Sequence, residues 1–275
     1  MNKVLNLAHP EKSEIQYTLT TFPDGEPHIV LNDFNAKWDV TIKCRIRNPN
    51  ELFILCEVLD ILNRNGVYPL VNIYYLMSMR MDRVMDITRP FSLKIVTDIL
   101  NTFKINGYGV FGMHSNKTSK LLRYSYERGK VETIDEIMTS SRKGALIVYP
   151  DASANQHFMA LNTCKSISVN KTRDVNTGLI KMSLNESDAN ELRNYNEVWI
   201  VDDLIDGGAT IDLLCNEIEK VSDSIKINVF AYHCVNEKGI SKLLTNHSNL
   251  HLYTTNSYND WDYKSKHFHI ENIID

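Results

Sequence analysis

Residues 197–220, EVWIVDDLIDGGATIDLLCNEIEK, decide the fold class and give the strongest indication of function. The run 198–201 is apolar and rich in β-branched residues, which is typical of a buried strand. Asp202 and Asp203 follow this run, and after Asp206 two glycines lead into a helical pattern. A strand that turns sharply into a helix is the basic unit of an α/β fold, so we predict one here.

The same segment has the chemistry of an anion site beside a sugar site. Small residues at 207–210 leave backbone N–H groups unobstructed, and the start of a helix favours an anion. Ionised Asp202 and Asp203 accept hydrogen bonds only, which suits the vicinal hydroxyls of a sugar. Ligands of open parallel sheets bind at the carboxyl ends of strands. The segment therefore indicates a ribose phosphate pocket. The alternative is a helix-capping turn without a ligand, but a cap needs one Asp rather than three.

The rest of the chain repeats this alternation of strand and helix. Apolar residues three or four apart predict helices at 52–63, 90–103 and 210–221. Strands are predicted at 29–34, 38–46, 70–77, 108–113, 145–150, 166–173, 197–203, 227–234 and 250–255. This pattern predicts an α/β fold with mainly parallel sheets flanked by helices.

The chain has room for two domains, because 275 residues exceed the usual size of one. A polar, charged stretch at 123–136 separates two groups of predicted strands and helices. We therefore predict one domain over 1–130 and a second over 131–275.

Composition excludes several classes of protein. Hydrophobic residues make up 43% and charged residues 23%, which argues for a folded globular chain and against disorder. A net charge of -4 provides no basic field for nucleic acid or an anionic membrane. Five scattered cysteines indicate reduced thiols rather than a disulfide framework or a zinc site. No apolar stretch has the length of a membrane span and no signal-peptide pattern is present, so we expect a cytoplasmic protein.

The 202–210 segment resembles the phosphoribosyl-diphosphate (PRPP) binding motif of phosphoribosyltransferases and ribose-phosphate pyrophosphokinases. Five further segments resemble the second family, in the same order along the chain. The resemblance implies two phosphoribosyltransferase-like domains, the first binding ATP and the second binding a ribose phosphate. The residues that it assigns to the ribose phosphate are Asp202, Asp203, Asp206, Gly207, Gly208, Ala209 and Thr210.

Three segments of the first half resemble the family's ATP site. Phe-Pro-Asp-Gly-Glu at 22–26 is similar to the family's Phe-Ser-Asp-Gly-Glu, which contacts adenine across a subunit interface. The segment 75–83 is similar to Tyr-Ala-Arg-Gln-Asp-Arg, although Met81 replaces the Gln. The segment 110–116 is similar to the family's strand that ends in Asp-Leu-His, with His114 as the matching residue. If each segment is taken singly, the alternatives are a surface turn at 22–26, a solvated charge cluster at 75–83 and a structural histidine at 114. The implied ATP-binding residues are Phe22, Asp24, Glu26, Arg80, Asp82, Arg83 and His114.

Two segments of the second half resemble the family's metal-binding and catalytic residues. Asp151 matches a metal-binding Asp at a strand end, so the resemblance implies Mg²⁺ bound by Asp151 and His114. Lys171 and Arg173 resemble the Lys-x-Arg pair of a mobile catalytic loop. Alternate positions of an extended segment face the same side, where two cations can stabilise a transferring diphosphoryl group. A basic edge strand that prevents aggregation is the alternative.

The resemblance implies a diphosphokinase of nucleotide biosynthesis that transfers the β,γ-diphosphate of ATP to the anomeric hydroxyl of a ribose 5-phosphate unit and releases AMP. Gly207 stands where the family has a Thr that grips a terminal phosphate. The lost hydroxyl and the added space suit a phosphate with a further substituent, so ADP-ribose is favoured over ribose 5-phosphate. Phage enzymes of this family that make ADP-ribose pyrophosphate, for rebuilding NAD⁺, fit this departure.

Two further expectations follow from the resemblance. A phosphoribosyltransferase, or a PRPP-binding module that uses no ATP, is the alternative function, because either would need only the 202–210 segment. The adenine contacts across a subunit interface imply a homo-oligomer, either a dimer or a ring of dimers.

Overall fold

The computed structural model describes residues 1–138, 144–158, 165–173 and 180–274. The chain forms two compact units, Met1–Arg128 with Ile274, and Gly129–Ile273. Each unit is built on a parallel sheet with helices packed on it. The predicted fold class is confirmed.

The first unit contains a parallel sheet and a separate hairpin. Its strands are β1 (Asn2–Asn6), β2 (Tyr17–Thr21), β3 (Pro27–Leu31), β4 (Asp39–Ile46), β5 (Leu70–Leu76), β6 (Gly107–Phe111) and β7 (Ser125–Arg128). Its helices are α1 (Pro49–Arg64), α2 (Ser92–Leu100) and α3 (Lys117–Leu121). The parallel sheet has the strand order β1-β4-β5-β6-β7, while β2 and β3 pair with each other in antiparallel orientation.

Local sequence explains the first long helix. The side chain of Asn48 accepts a hydrogen bond from the Glu51 backbone N–H at 3.0 Å, which caps the amino end of α1. Pro49 occupies the first turn, where its missing N–H costs nothing. Leu55 and Leu59 share the face that is fully buried against the sheet.

The second unit contains a larger parallel sheet. Its strands are β8 (Leu146–Tyr149), β9 (Ser166–Ser168), β10 (Asn170–Arg173), β11 (Ile180–Ser183), β12 (Glu197–Ile205), β13 (Lys226–Cys234), β14 (Leu250–Thr255) and β15 (Phe268–Glu271). Its helices are α4 (Lys130–Met138), α5 (Ala152–His157), α6 (Glu186–Leu192), α7 (Ala209–Val221) and α8 (Glu237–Asn246). The sheet order is β15-β14-β13-β12-β8-β9, and β10 pairs with β11 as an antiparallel hairpin.

Three details of the predicted elements differ in the structure. The predicted strand at 166–173 is two strands, β9 and β10, separated at Val169. Strand β12 continues two residues beyond the predicted 197–203, through Ile205, so Asp202 and Asp203 lie inside the strand rather than at its end. The polar stretch at 123–136 forms β7 and most of α4. Among the described residues, no helix combines the length and the apolar character needed to cross a bilayer.

Candidate functional site

The turn between β12 and α7 lies at the carboxyl edge of the second sheet. The backbone of Gly208 has a φ of +72°, a left-handed conformation that favours glycine, so this residue makes the sharp turn. A Cβ at Gly208 would lie 3.2 Å from the carbonyl oxygen of Gly239 and from Leu243 Cγ. A Cβ at Gly207 would meet no atom within 4 Å. Gly208 is therefore required by the turn, whereas Gly207 leaves open space beside it.

Gly239 is a residue of this site that sequence reasoning missed. A Cβ at Gly239 would lie 1.8 Å from the Asp206 carbonyl oxygen, so no side chain fits there unless the turn moves. The first turn of α8 therefore packs directly on the backbone of the β12–α7 turn. A glycine inside an amphipathic helical pattern was the available signal, since such a glycine needs a packing reason.

Two further contacts fasten the turn to the segment that follows β13. The backbone N–H of Val235 donates to the Ile205 carbonyl oxygen at 2.9 Å. Asn236 Nδ2 donates to Asp206 Oδ1 at 3.3 Å, and Asn236 Oδ1 accepts from the Lys238 backbone N–H at 3.0 Å, which caps α8. Because both neighbours of the turn are fixed, its backbone N–H groups are held in place before any ligand binds.

A cluster of carboxylates lies beside this turn. Asp202 and Asp203 are consecutive residues of β12, the Asp203 backbone N–H donates to Asp202 Oδ1 at 2.9 Å, and the two carboxyl groups lie close enough to interact. Asp151 follows β8, which pairs directly with β12. Burial, then repulsion from Asp203, and more weakly from Asp151, raise the pKa of Asp202 well above its usual range. This concentration of negative charge would be relieved by a cation or by hydroxyl donors.

Asp151 has a structural contact of its own. Its Oδ1 accepts a hydrogen bond from the Ala154 backbone N–H at 3.0 Å, which caps α5 and orients the carboxylate. Within the described part of the chain, no three His, Cys, Asp or Glu side chains converge as a metal site.

A polar cluster joins α7 to α8 behind the turn. His247 is buried, with Nε2 3.1 Å from Asp212 Oδ1 and Nδ1 2.9 Å from Glu219 Oε1. Lys242 Nζ lies 2.9 Å from Asp212 Oδ2. Burial raises the pKa of Asp212, but hydrogen bonds from Lys242, Asn246 and His247 outweigh it and lower the pKa. The cluster fixes the angle between the two helices that hold the turn.

In the first unit, Asp82 joins two predicted ATP-binding segments. Asp82 follows β5, is 8% exposed and accepts a hydrogen bond from Ser115 Oγ at 2.7 Å. Ser115 is next to His114, which follows β6 and is half-buried. The structure therefore brings the segments of Asp82 and His114 together at the carboxyl edge of the sheet. Arg80 and Arg83 are exposed in the same loop as Asp82.

The predicted adenine-contacting residues lie at the exposed tip of the β2–β3 hairpin. Gly25 has a φ of +93°, and Asp24 Oδ1 accepts from the Glu26 backbone N–H at 3.2 Å, so both residues shape the tip. The Phe22 ring is 49% exposed and lies 5.6 Å from the His28 ring, between centroids. An exposed aromatic ring of this kind is available for contact with a ligand or another chain.

The predicted catalytic residues Lys171 and Arg173 lie on β10. In the register of the hairpin, Lys171 is opposite Met182 and Arg173 is opposite Ile180. Their side chains lie outside what the structure describes.

Comparison with solved structures identifies the fold. A phosphoribosylpyrophosphate synthetase from Mycobacterium smegmatis superposes with a TM-score of 0.82 at 15% identity, over 99% of this chain and 95% of that chain. A purine phosphoribosyltransferase from Pyrococcus horikoshii Ot3 aligns with a TM-score of 0.27 at 13% identity, over 52% of this chain and 83% of that chain. No protein-family model matches the sequence. No curated protein matches it either. The chain has the fold of a phosphoribosylpyrophosphate synthetase.

Proposed function

We propose that the protein is a diphosphokinase, which transfers the β,γ-diphosphate of ATP to the anomeric hydroxyl of a ribose 5-phosphate unit and releases AMP. The observation that carries the proposal is the fixed turn at 206–208, with acidic residues beside it, in a chain with this fold. A rigid turn that presents backbone N–H groups beside carboxylates suits a sugar phosphate, and its rigidity lowers the entropic cost of binding.

The acceptor binds to the second unit. Its phosphate accepts hydrogen bonds from the backbone at 207–210, and its ribose hydroxyls donate to Asp202 and Asp203. The raised pKa of Asp202 supports this role, because hydrogen bonds from hydroxyl donors stabilise the charged form of a carboxylate that is otherwise destabilised by its surroundings. Asp206 shapes the turn through Asn236.

ATP binds to the first unit. Arg80 and Arg83 contact its phosphates, since exposed guanidinium groups match phosphate geometry. Asp82 orients this loop through Ser115. Phe22, Asp24 and Glu26 contact adenine from the hairpin of another subunit, which makes the protein a homo-oligomer, a dimer or a ring of dimers.

Mg²⁺ fits the residues that are present. It is usually held by one or two carboxylates together with substrate phosphates, rather than by a cage of protein ligands. In the second unit Asp151, which raises the pKa of neighbouring Asp202, would hold the ion, and the resemblance assigns His114 to it as well. When bound, the ion would neutralise negative charge on the phosphates. Lys171 and Arg173 add positive charge at the transferring group, so catalysis depends on positioning and electrostatics rather than on a nucleophilic side chain.

ADP-ribose is the favoured acceptor, and its product would serve to rebuild NAD⁺, as in the phage enzymes. The support is the open space at Gly207, where a Cβ would meet no atom within 4 Å. A phosphate that continues into a second phosphate needs room at this point. Ribose 5-phosphate, whose phosphate is terminal, does not need it.

The experiment is a measurement of AMP release from Mg²⁺-ATP with ADP-ribose, with ribose 5-phosphate and without an acceptor. AMP release that occurs with ADP-ribose, but not with ribose 5-phosphate or without an acceptor, supports the full proposal. Release that is faster with ribose 5-phosphate rejects the acceptor but keeps the reaction class. No AMP with either acceptor, together with binding of PRPP, favours a phosphoribosyltransferase or a PRPP-binding module.

Gly207→Thr is the matched specificity variant. The open space accommodates the new side chain, and Gly207 does not have a positive φ. A hydroxyl at this position should favour a terminal phosphate, so we expect the ratio of activity with ribose 5-phosphate to activity with ADP-ribose to rise. An unchanged ratio would reject the role of Gly207 in acceptor choice.

A further inference from the structure

A cleft lies on the amino edge of the first sheet. It has a volume of about 380 Å³ and is formed where three loops enter β5, β6 and β7. Sites for small molecules have volumes of this order. Asp82 and His114 follow β5 and β6, whereas the cleft precedes these strands. Since β6 has 5 residues, the cleft lies about 16 Å along the strand from the edge that carries His114.

Two asparagines fix the backbone of this cleft. Asn63 Oδ1 accepts from the Lys104 backbone N–H at 2.8 Å, and Asn63 Nδ2 donates to the Lys104 carbonyl oxygen at 2.8 Å. Asn101 Oδ1 accepts from the Arg123 backbone N–H at 2.9 Å, and Asn101 Nδ2 donates to the Leu121 carbonyl oxygen at 2.8 Å. The backbone is therefore held in place at the two residues of the cleft that carry positive charge.

The positive charges of the cleft are not neutralised by its walls. No acidic residue lines the cleft, and in the described ranges no carboxylate forms an ion pair with Lys104 or Arg123. On the helices of the same unit, by contrast, Arg64 and Lys94 each pair with an Asp one turn away. Lys104 Nζ lies 5.9 Å from the centroid of the Tyr68 ring. Two exposed cations held in this way are suited to an anion.

Two exposed tyrosines complete the cleft. Tyr124 is 76% exposed and Tyr68 is 41% exposed. Tyr124 also has a φ of +57°, which is unfavourable for a bulky side chain, and its carbonyl oxygen accepts from the Tyr108 backbone N–H at 3.0 Å. Backbone strain of this kind persists where the surrounding structure holds it, and it is concentrated at functional sites. In this cleft, the strained backbone conformation of Tyr124 places its ring in solvent beside the two cations.

We propose that this cleft binds a mononucleotide, at a site separate from the proposed site of reaction. The base contacts the rings of Tyr68 and Tyr124, and the phosphate accepts hydrogen bonds from Lys104 and Arg123. Stacking on an aromatic ring tolerates any base, and charge-assisted hydrogen bonds anchor the phosphate. The volume of the cleft suits one nucleotide rather than a polymer.

The test is fluorine NMR of protein labelled with 3-fluorotyrosine, with Tyr68→Phe and Tyr124→Phe used to assign the two resonances. AMP, adenosine and inorganic phosphate are titrated separately. We expect AMP to shift both resonances at lower concentration than adenosine or phosphate does. Shifts of the other tyrosine resonances would report binding of AMP elsewhere on the protein. Because the readout is binding at the cleft, the result does not depend on whether the protein has diphosphokinase activity.

The double variant Lys104→Gln, Arg123→Gln should raise the dissociation constant for AMP, read from these two resonances, roughly tenfold or more. The control is Arg64→Gln, Lys94→Gln, which removes two exposed cations of the same unit from outside the cleft and should leave the constant unchanged. The proposal is overturned if millimolar AMP moves neither resonance, or if the cleft variant behaves as the wild type. It is also overturned if the resonances move only with protein concentration, which would indicate contact between copies of the chain.

Discussion

The carboxyl edges of the two sheets hold their candidate residues in different ways. In the second unit, the turn at 206–208 is in contact with the backbone of Gly239 and is tied to Val235 and Asn236. In the first unit, the loop at 80–90 is mostly exposed and is anchored through Asp82. Three apolar side chains of this loop, Val84, Met85 and Ile87, are more than half exposed.

The difference indicates two modes of binding. A fixed turn binds with little loss of conformational entropy and selects its ligand by shape. An exposed loop has few contacts to lose, so it can change its conformation when a ligand binds. We expect substitutions at the second edge to act through steric exclusion and charge, and substitutions at the first edge to act more weakly, through the order of the loop.

The largest effect is expected from Gly239→Ala. Its Cβ would lie 1.8 Å from the Asp206 carbonyl oxygen, so the turn must move. Overpacking of this kind costs about 1–3 kcal/mol of unfolding free energy. Displacement of the turn should lower kcat/KM for the acceptor about 100-fold, since small errors of position have effects of that size. Steady-state kinetics and urea unfolding measure the two effects.

Gly207→Ala is the matched control for this prediction. It adds the same methyl group to the same turn, at a point where no atom lies within 4 Å. Its free energy of unfolding should stay within about 0.5 kcal/mol of wild type, because surface substitutions of this kind have small effects, and any loss of kcat/KM should be confined to an acceptor whose phosphate continues into this space. Equal effects of the two substitutions would show that the contact between α8 and the turn does not position the acceptor.

Asp202→Asn should weaken acceptor binding and stabilise the fold. The amide keeps the shape but loses the charge, so binding of the ribose hydroxyls should weaken roughly tenfold or more. The pKa of Asp202 is raised in the folded state, so its ionisation destabilises the protein as the pH rises from the unfolded pKa of about 3.8 towards the folded pKa. The variant has no charge at position 202, so its free energy of unfolding at neutral pH should exceed that of wild type by an amount on the order of 1 kcal/mol.

Calorimetric binding of the acceptor and urea unfolding at pH 7 measure both effects of Asp202→Asn. A variant that binds the acceptor as tightly as wild type would exclude Asp202 from the sugar site. A variant that is less stable than wild type would contradict the assigned cause of the raised pKa.

At the first edge, Asp82→Ala should raise the KM for ATP about threefold to tenfold. The substitution removes the acceptor of the Ser115 hydrogen bond and releases the loop, at a cost of about 1 kcal/mol. Asp86→Ala, in the same loop, is the control, because Asp86 is exposed and, within the described part of the chain, its side chain contacts nearby Thr88 and Arg89. An unchanged KM for Asp82→Ala would exclude this loop from ATP binding.

The elements predicted correctly are those whose signal is local. The strand, turn and helix at 197–221 are encoded by an apolar run, two glycines and helical spacing, all within one segment. Strand β7 was missed because its four residues are polar and mostly exposed, so no periodic pattern marks it. The extension of β12 from 203 to Ile205 was missed because it is supported by pairing of Leu204 and Ile205 with β13, a contact between distant segments that no local pattern marks.

The residues of the candidate site are proposed from motifs, whereas the contacts that hold these residues in place were not predicted. The role of Gly239 depends on its approach to Asp206, 33 positions earlier in the chain, and the local pattern indicates only that this glycine needs a packing reason, not which residue it approaches. Likewise, the hydrogen bond between Asp82 and Ser115 joins the ends of two neighbouring strands. Sequence patterns indicate which residue types are present, whereas packing between distant segments determines which of them are fixed.

The smallest effect is expected from pH, and it should act on the second unit. His251 Nδ1 lies 3.3 Å from His269 Nε2, and the His251 ring stacks on the His267 ring at 4.5 Å. Burial, then the nearby charges of His267 and Lys226, lower the pKa of both His251 and His269 below 6.5, while Glu197 partly opposes this at His251. Each pKa is lower in the folded state, so stability is complete above pH 6.5 and falls as the pH drops towards the folded pKa.

His251→Gln should reduce this dependence, because it removes one titrating ring and keeps a polar side chain. Urea unfolding followed by tryptophan fluorescence at pH 7.5 and pH 5.5 should show a smaller loss of unfolding free energy in the variant than in wild type. His28→Gln in the first unit is the control, because its ring pairs with Glu57 rather than with other histidines. If the loss is the same in His251→Gln as in wild type, the histidine cluster is not the source of the acid sensitivity of the second unit.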